Sequence, residues 1–220
     1  MSAAAESVTL VPVKPVPDGK SRLAAVLDDA GRAALIAWML GRVLDAIQTV
    51  RPGPVYVVGA DAALQAVAAR HGCVALPELG SNHNDTLVRA MHSTAPAGRW
   101  LIVAADLPLV ESDDIRMLIG NDVSARLAPS HDGTGTNALV LPAHCAIVPQ
   151  FGDQSRRRHL AALEAAGCRA LEVASRGLAF DVDHPSDLDV MLAALADEER
   201  LRLSEALRGR SAGTSRTLAD

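Results

Sequence analysis

"RWLIVAADLP", residues 99–108, is an apolar run that stops abruptly at a carboxylate, Asp106, with Leu107 and Pro108 as a stiff exit. A run this short, bounded by proline, has the character of a strand buried on both faces. Ligands in parallel sheets meet the chain at such strand ends. Upstream, "VYVVGA" (55–60) is a β-branched run of the same kind, followed by a helical stretch from Ala62 to Arg70 and a short strand, "CVALP" (73–77). Ser7 to Val13 forms another apolar run, and Ala24 to Ile47 carries Leu35, Met39, Val43 and Ile47 at helical spacing. Strands alternating with helices imply βαβ units and an α/β fold whose central sheet is mostly parallel and flanked by helices.

The second half changes texture. "RLAPSHDGTGTNALVLP" (126–142) reads as strand, turn and strand, and "FGDQSRRRHLAALEAAG" (151–167) as a capped helix. "CRALEVA" (168–174) reads as a strand, and "LAFDVDHPSDLDVMLAAL" (178–195) as a strand followed by a helix that Pro185 opens. One domain over residues 1–195 is expected, then a charged helix and tail over 196–220 whose last ten or so residues are expected to be disordered.

Composition narrows the function classes. A net charge of −5 supplies no basic field for a nucleic-acid backbone, and aromatic residues, at 2%, supply no stacking platform for single strands. Nucleic acid is not an expected partner. No unbroken run of about 18 apolar residues exists to cross a bilayer, and the first residues lack a signal peptide's basic and apolar regions, so no membrane partner and a cytoplasmic location are expected. Cys73, Cys145 and Cys168 form no CxxC pair and read as small core residues. Seven histidines without HxH or HExxH spacing make a zinc site unexpected.

Three clusters carry chemistry. The only two lysines, Lys14 and Lys20, stand in one loop, "VPVKPVPDGKSRL" (11–23), in a chain with nineteen arginines. With Gly19, Ser21 and Arg22 they precede a helix, an arrangement that binds phosphate through backbone N–H groups and added positive charge. Confining lysine to this loop implies a slim ammonium that arginine cannot replace. Asp106 ends its strand, and in "DVDHP" Asp181 and Asp183 are two residues apart, so in an extended segment both carboxylates project from one face. Facing carboxylates repel unless a cation lies between them, and Mg²⁺ takes such oxygen ligands together with substrate phosphates. A Gly/Thr turn with Thr134 and Thr136, and "FGDQS" with Ser155 and the positive run behind it, together form a second anion site. Two anion sites around an acidic cradle suggest nucleotidyl transfer.

These motifs in this order, "VPVKPVPDGKSRL", "AADLPL", "GTGTNAL", "FGDQSRRRHL" and "DVDHPSDL", resemble those of the CofC/FbiD guanylyltransferases over residues 8–195. Enzymes of that family activate a phosphorylated three-carbon acid with GTP during biosynthesis of the deazaflavin coenzyme F-420. The resemblance implies a single Rossmann-like nucleotidyltransferase domain of the GT-A type, Mg²⁺ dependence with one or two ions, release of pyrophosphate, a homodimer, and a downstream transferase that consumes the labile product. Position by position it implies metal binding by Asp106, Asp181 and Asp183, and triphosphate binding by Lys14, Lys20, Ser21 and Arg22. It assigns the phosphoacid to Thr136, Gly152 and Ser155, and makes Lys14, Lys20, Arg22 and Asp106 the catalytic set. Asn137, beside Thr136, would pair a substrate hydroxyl, which favours 3-phospho-D-glycerate over phosphoenolpyruvate or 2-phospho-L-lactate. Two rivals are a nucleotidyltransferase for another phosphorylated acceptor, whose glycine-rich opening loop this chain lacks, and a non-catalytic nucleotide-binding regulatory module, whose expected loss of acidic residues is not seen.

Overall fold

The computed structural model describes residues 7–78, 80–94, 98–145 and 147–208. The tail expected to be disordered lies outside the described residues. The chain runs β1 (Ser7–Pro12), a 3₁₀ turn (Ser21–Ala25), α1 (Asp29–Val50), β2 (Val55–Val58), α2 (Ala62–Arg70), β3 (Val74–Leu76), α3 (His83–Ser93) and β4 (Arg99–Val103). It continues through α4 (Ser112–Ile119), β5 (Ala125–Pro129), β6 (Thr136–Pro142), α5 (Ser155–Ala165), β7 (Ala170–Glu172), α6 (Arg176–Ala179), α7 (Pro185–Ala194) and α8 (Asp197–Leu207).

One seven-stranded sheet has the order β3-β2-β1-β4-β6-β5-β7, and β6 alone runs against the rest. The mostly parallel α/β expectation holds. From β1 the chain first builds outward through β2 and β3, then crosses to lay β4 on the other side of β1. That reversal opens a crevice beyond the carboxyl ends of β1 and β4. Because β6 is antiparallel to β4, with Val103 opposite Ala138, its first residues Thr136 and Asn137 start at this same edge.

All six residues of β1 are buried, as expected of a central strand covered on both faces. One face packs Val11, Val57, Leu101 and Val103 against Leu40, Val43 and Leu44 of α1 and Ile115 and Leu118 of α4. The other packs Leu10, Ile102 and Leu139 against Leu87 of α3 and Leu163 of α5. Each such fully buried side chain stabilises the fold by about 1.5–3 kcal/mol before conformational entropy is counted. A third cluster joins Leu35 and Met39 of α1 to Met191 of α7 and Leu203 and Leu207 of α8, so α8 is built into the same body as the sheet.

Two expectations need correction, and a third feature bears on the membrane reading. The segment 178–183 adds no strand: Ser175 Oγ accepts from the Leu178 N–H to cap the one-turn helix α6, and the chain then crosses the sheet's edge without pairing. Cys145 and Cys168 are not separate core thiols but form a disulfide with Cα atoms 5.8 Å apart, and Cys73 is the free, buried cysteine. Finally, α1 is apolar and long enough to cross a membrane by length and composition despite lacking an unbroken apolar run. Its buried residues Leu35, Met39, Leu40, Val43 and Leu44 face the cores on either side, so here it serves as a core helix.

Candidate functional site

The crevice at the carboxyl ends of β1 and β4 is a cavity of about 540 Å³ lined by Lys14, Lys20, Ser21, Arg22, Asp106, Thr136, Asn137, Gly152, Asp181 and Asp183, among others. Positions from five separate motifs therefore meet in one place. Ser155 does not line it.

The lysine loop is held by short-range packing. Gly19 N–H donates to the Pro15 carbonyl, and a Cβ on Gly19 would lie 2.1 Å from the Lys14 carbonyl oxygen, so only glycine allows this approach. Beneath the loop, the buried Arg32 of α1 donates to the carbonyls of Pro17 at 3.0 Å and Gly19 at 3.1 Å, and its other arm pairs with Asp29. Lys20 has a left-handed backbone (φ 55°), a conformation that costs a non-glycine residue energy and is kept where surrounding structure over-determines it. What that conformation achieves is the aim of its side chain. Lys20 Nζ donates to Asp106 Oδ2 and, at 2.9 Å, to Asp183 Oδ1.

Asp106 stands three residues past the end of β4, fixed by the fully buried Leu107 that follows it. Asp181 and Asp183 arrive from the segment between α6 and α7. Asp181 Oδ1 accepts from Asn137 Nδ2 at 3.1 Å and lies 3.2 Å from His131 Nδ1, and the Asp183 N–H donates to Asp187 at 3.0 Å. Burial, and then the negative charges of Asp106 and Asp183, push the Asp181 carboxyl above its usual pKa despite the Asn137 hydrogen bond. The Asp183 carboxyl is also penalised by burial, but Lys20 and Arg22 outweigh that and hold it below the usual range. Burial opposes charge on Lys20 as well, and Asp106 and Asp183 reverse the effect, keeping its ammonium firmly protonated. The three carboxylates thus demand a cation, and the lysine ammonium meets part of that demand.

Around this centre, Arg22 reaches Asp183 at 3.4 Å while remaining largely exposed, and Lys14 is exposed at the rim. Lys14 is close enough to His83, which also lines the cavity, that its charge adds to burial in lowering the His83 pKa.

The second anion site is only partly as expected. Thr136 and Gly152 line the cavity, but Ser155 is 1% exposed and sits behind the wall, its N–H closing a turn onto Gly152. The Thr134 hydroxyl donates to Asp132, whose hydrogen bonds from Ser130 and Thr134 hold its carboxyl far below the usual range. Of the positive run, Arg156 is spent on Glu172 at 2.7 Å and on the Gly133 carbonyl. Asn137 lines the cavity as well, and its Nδ2 donates to the carbonyls of Leu178 and Ala179 and to Asp181, so it ties the aspartate segment to β6 and leaves Oδ1 as the atom that could pair a substrate hydroxyl.

Several contributors were not read as site residues from the sequence. His83 and Phe151 line the cavity, and Asn84 clamps Phe151 at both ends, Nδ2 donating to its carbonyl at 3.1 Å and Oδ1 accepting its N–H at 2.8 Å. Arg32 is equally silent in the sequence, an arginine on a helix whose partners lie 13 and 15 residues upstream.

The sequence profile described as "Guanylyl transferase CofC like" matches residues 7–203. A phosphoenolpyruvate guanylyltransferase of Sphaerobacter thermophilus is 37% identical over 188 residues, covering 83% of this chain and 91% of its own. A 3-phospho-D-glycerate guanylyltransferase of Phenylobacterium zucineum is 35% identical over 179 residues, covering 76% and 81%. Among solved structures, a Desulfovibrio desulfuricans protein provisionally assigned as a nucleotide-diphospho-sugar transferase superposes with a TM-score of 0.73 at 18% identity, covering 92% of this chain and 96% of its own. A nucleotidyl transferase of Methanothermobacter superposes with a TM-score of 0.61 at 15% identity, over 89% and 97%. These last two share the fold.

Proposed function

The chain belongs to the CofC-like guanylyltransferase family, and we propose that it transfers GMP from GTP to phosphoenolpyruvate, releasing pyrophosphate, as a step toward coenzyme F-420. The observation that carries this reading is the convergence of Lys14, Lys20, Arg22 and three carboxylates on one cavity at the sheet's switch point. An oxygen of the phosphoacid's phosphate attacks the α-phosphorus of GTP, the bond from that phosphorus to the bridging oxygen breaks, and pyrophosphate leaves with the bridging oxygen. No general base is required, because the attacking phosphate is already ionised at pH 7. Catalysis is positioning and charge stabilisation.

Asp106, Asp181 and Asp183 are the all-oxygen donors a hard divalent cation takes, crowded enough to raise one carboxyl. With the Lys20 ammonium between Asp106 and Asp183, however, the three are spread wider than one ion's shell, so binding requires them to draw together as the ammonium moves out. Bound there, Mg²⁺ would neutralise charge on the phosphoryl oxygens. Lys14, Lys20, Ser21 and Arg22 are proposed to hold the β- and γ-phosphates, and Thr136 with the Gly152 backbone to hold the phosphoacid. Such a role would confine lysine to this one loop. An ammonium on a flexible stem can pass from the carboxylates to phosphates and follow the departing pyrophosphate, which a planar guanidinium does poorly. The product joins two phosphates through a new anhydride, an activated compound suited to a downstream transferase. A homodimer in the cytoplasm completes the proposal.

Phosphoenolpyruvate is preferred for two reasons. The relative from Sphaerobacter is named for it. In addition, Asn137 has its donors committed to Leu178, Ala179 and Asp181, leaving only Oδ1 to accept from a glycerate hydroxyl. The Phenylobacterium relative supports 3-phospho-D-glycerate as the second reading. Pyrophosphate release from GTP and Mg²⁺, measured in parallel with phosphoenolpyruvate, 3-phospho-D-glycerate and 2-phospho-L-lactate, separates them. We expect phosphoenolpyruvate to be turned over with kcat/KM at least tenfold above the other two. Preference for 3-phospho-D-glycerate would replace the acid and keep the reaction, and nucleotide binding without release in any arm would favour a regulatory module.

A further inference from the structure

His159, the fifth residue of α5, is fully buried and touches two parts of the cavity wall at once. Its Nε2 lies 2.8 Å from the Gln150 backbone nitrogen, and its Nδ1 lies 3.0 Å from Thr136 Oγ1. Its ring also meets Phe151 edge-on, with centroids 4.9 Å apart. A backbone N–H can only donate, so Nε2 must be the accepting nitrogen. In a neutral imidazole the proton then resides on Nδ1, and Nδ1–H donates to Thr136.

From this geometry we infer that His159 is a positioning residue: it fills the acceptor side of the Thr136 hydroxyl and so presents the hydroxyl proton to the cavity as a donor for an anionic oxygen of the phosphoacid. The inference rests on the proposed placement of Thr136 beside that substrate. His159 is the only side-chain partner of Thr136 Oγ1 among the described residues, and Thr136 lines the cavity although its surface is almost wholly buried. Neutrality is secured by burial and, secondarily, by Arg158, which lower the His159 pKa to about 4. The same ring pins Gln150 while Asn84 pins Phe151, so the loop leading to Gly152 is fixed from two sides. A rigid loop and a hydroxyl of set polarity together make a receptor for an anion rather than for a donor group.

Two measurements test the inference. In the full-length wild-type protein at pH 7, long-range ¹⁵N–¹H correlation of the His159 ring is expected to find Nδ1 protonated and Nε2 bare, the reverse of the tautomer favoured in water. Protonation at Nε2, or at both nitrogens, overturns the inference without any variant having to fold. In kinetics, Thr136→Val and His159→Gln are each expected to raise the phosphoacid KM about tenfold with the GTP KM unchanged, and the double variant to be no worse than either single one. His159→Asn, which returns an amide N–H near the position of Nδ1, is expected to recover most of the loss. If Thr136→Val raises the phosphoacid KM while His159→Gln leaves it unchanged, or if the two effects multiply, the inference fails and the placement of Thr136 survives. An unchanged KM in Thr136→Val overturns both.

Discussion

Replacing Asp106 by asparagine is expected to lower kcat by roughly 10²–10³ and to leave the melting temperature within about 2 °C of the parent. The substitution keeps shape and hydrogen-bonding capacity but removes one negative charge from a site where three carboxylates converge. In the folded protein that charge is an electrostatic cost, since it is one cause of the raised Asp181 pKa. Removing it relieves repulsion while weakening the ion pair with Lys20, and the two changes oppose each other. On the proposed mechanism the same charge is needed during turnover, because a divalent cation bound with the triphosphate would draw on the full carboxylate set. Activity and stability should therefore separate at this position, the signature expected of a functional rather than architectural residue. Steady-state pyrophosphate release at saturating Mg²⁺, paired with a thermal melt, reads both. A variant that turned over near the parental rate would remove Asp106 from the metal site.

Lys20→Ala is expected to lower kcat/KM for GTP by roughly a hundredfold or more, and Lys20→Arg to restore little of it. Here stability falls as well. The lysine side chain is 9% exposed and its carboxylate partners are 29% and 43% exposed, so they are partly solvated and their loss of a partner costs only about 1–2 kcal/mol. That corresponds to a few degrees in melting temperature. Because alanine leaves the carboxylates facing one another without the ammonium, millimolar Mg²⁺ alone should raise the melting temperature of Lys20→Ala more than that of the wild type. An equal response of both proteins to the ion would show that Lys20 and the cation do not share the carboxylates. Arginine should fail for a geometric reason: its planar fork is larger than the ammonium held between Asp106 and Asp183, and the left-handed backbone at this position fixes where the side chain starts.

The residues readable in advance are those whose role follows from local chain geometry. Asp106 announces itself because an apolar strand ends on it, and the lysine loop because two residues of one type are confined to it. The parallel sheet follows from apolar runs alternating with helical spacing. Roles set by distant partners were not legible. Asn137 stands next to Thr136 in sequence and shares its side of the cavity, yet its donors go to carbonyls 41 and 42 residues downstream. Ser155 begins its helix as expected but is almost wholly buried and does not line the cavity, a matter of how α5 packs on the sheet that spacing does not encode. The segment 178–183 alternates like a strand because Leu178 and Val182 are both buried. Its backbone instead crosses the sheet's end, where the Asn137 amide takes the carbonyls a strand partner would have used. The Cys145–Cys168 pairing spans 23 residues with α5 between, and nothing local marks it.

The central claim is that the α-phosphorus of GTP is the atom attacked, and isotopic labelling addresses it directly. With phosphoenolpyruvate and Mg²⁺ present, label placed in the α-phosphate should appear in a new guanosine-containing anhydride and label placed in the γ-phosphate in pyrophosphate, in equal amounts. Label from the γ-phosphate recovered as inorganic phosphate, with GDP as the partner product, would contradict the account and make the protein a hydrolase of the terminal phosphate.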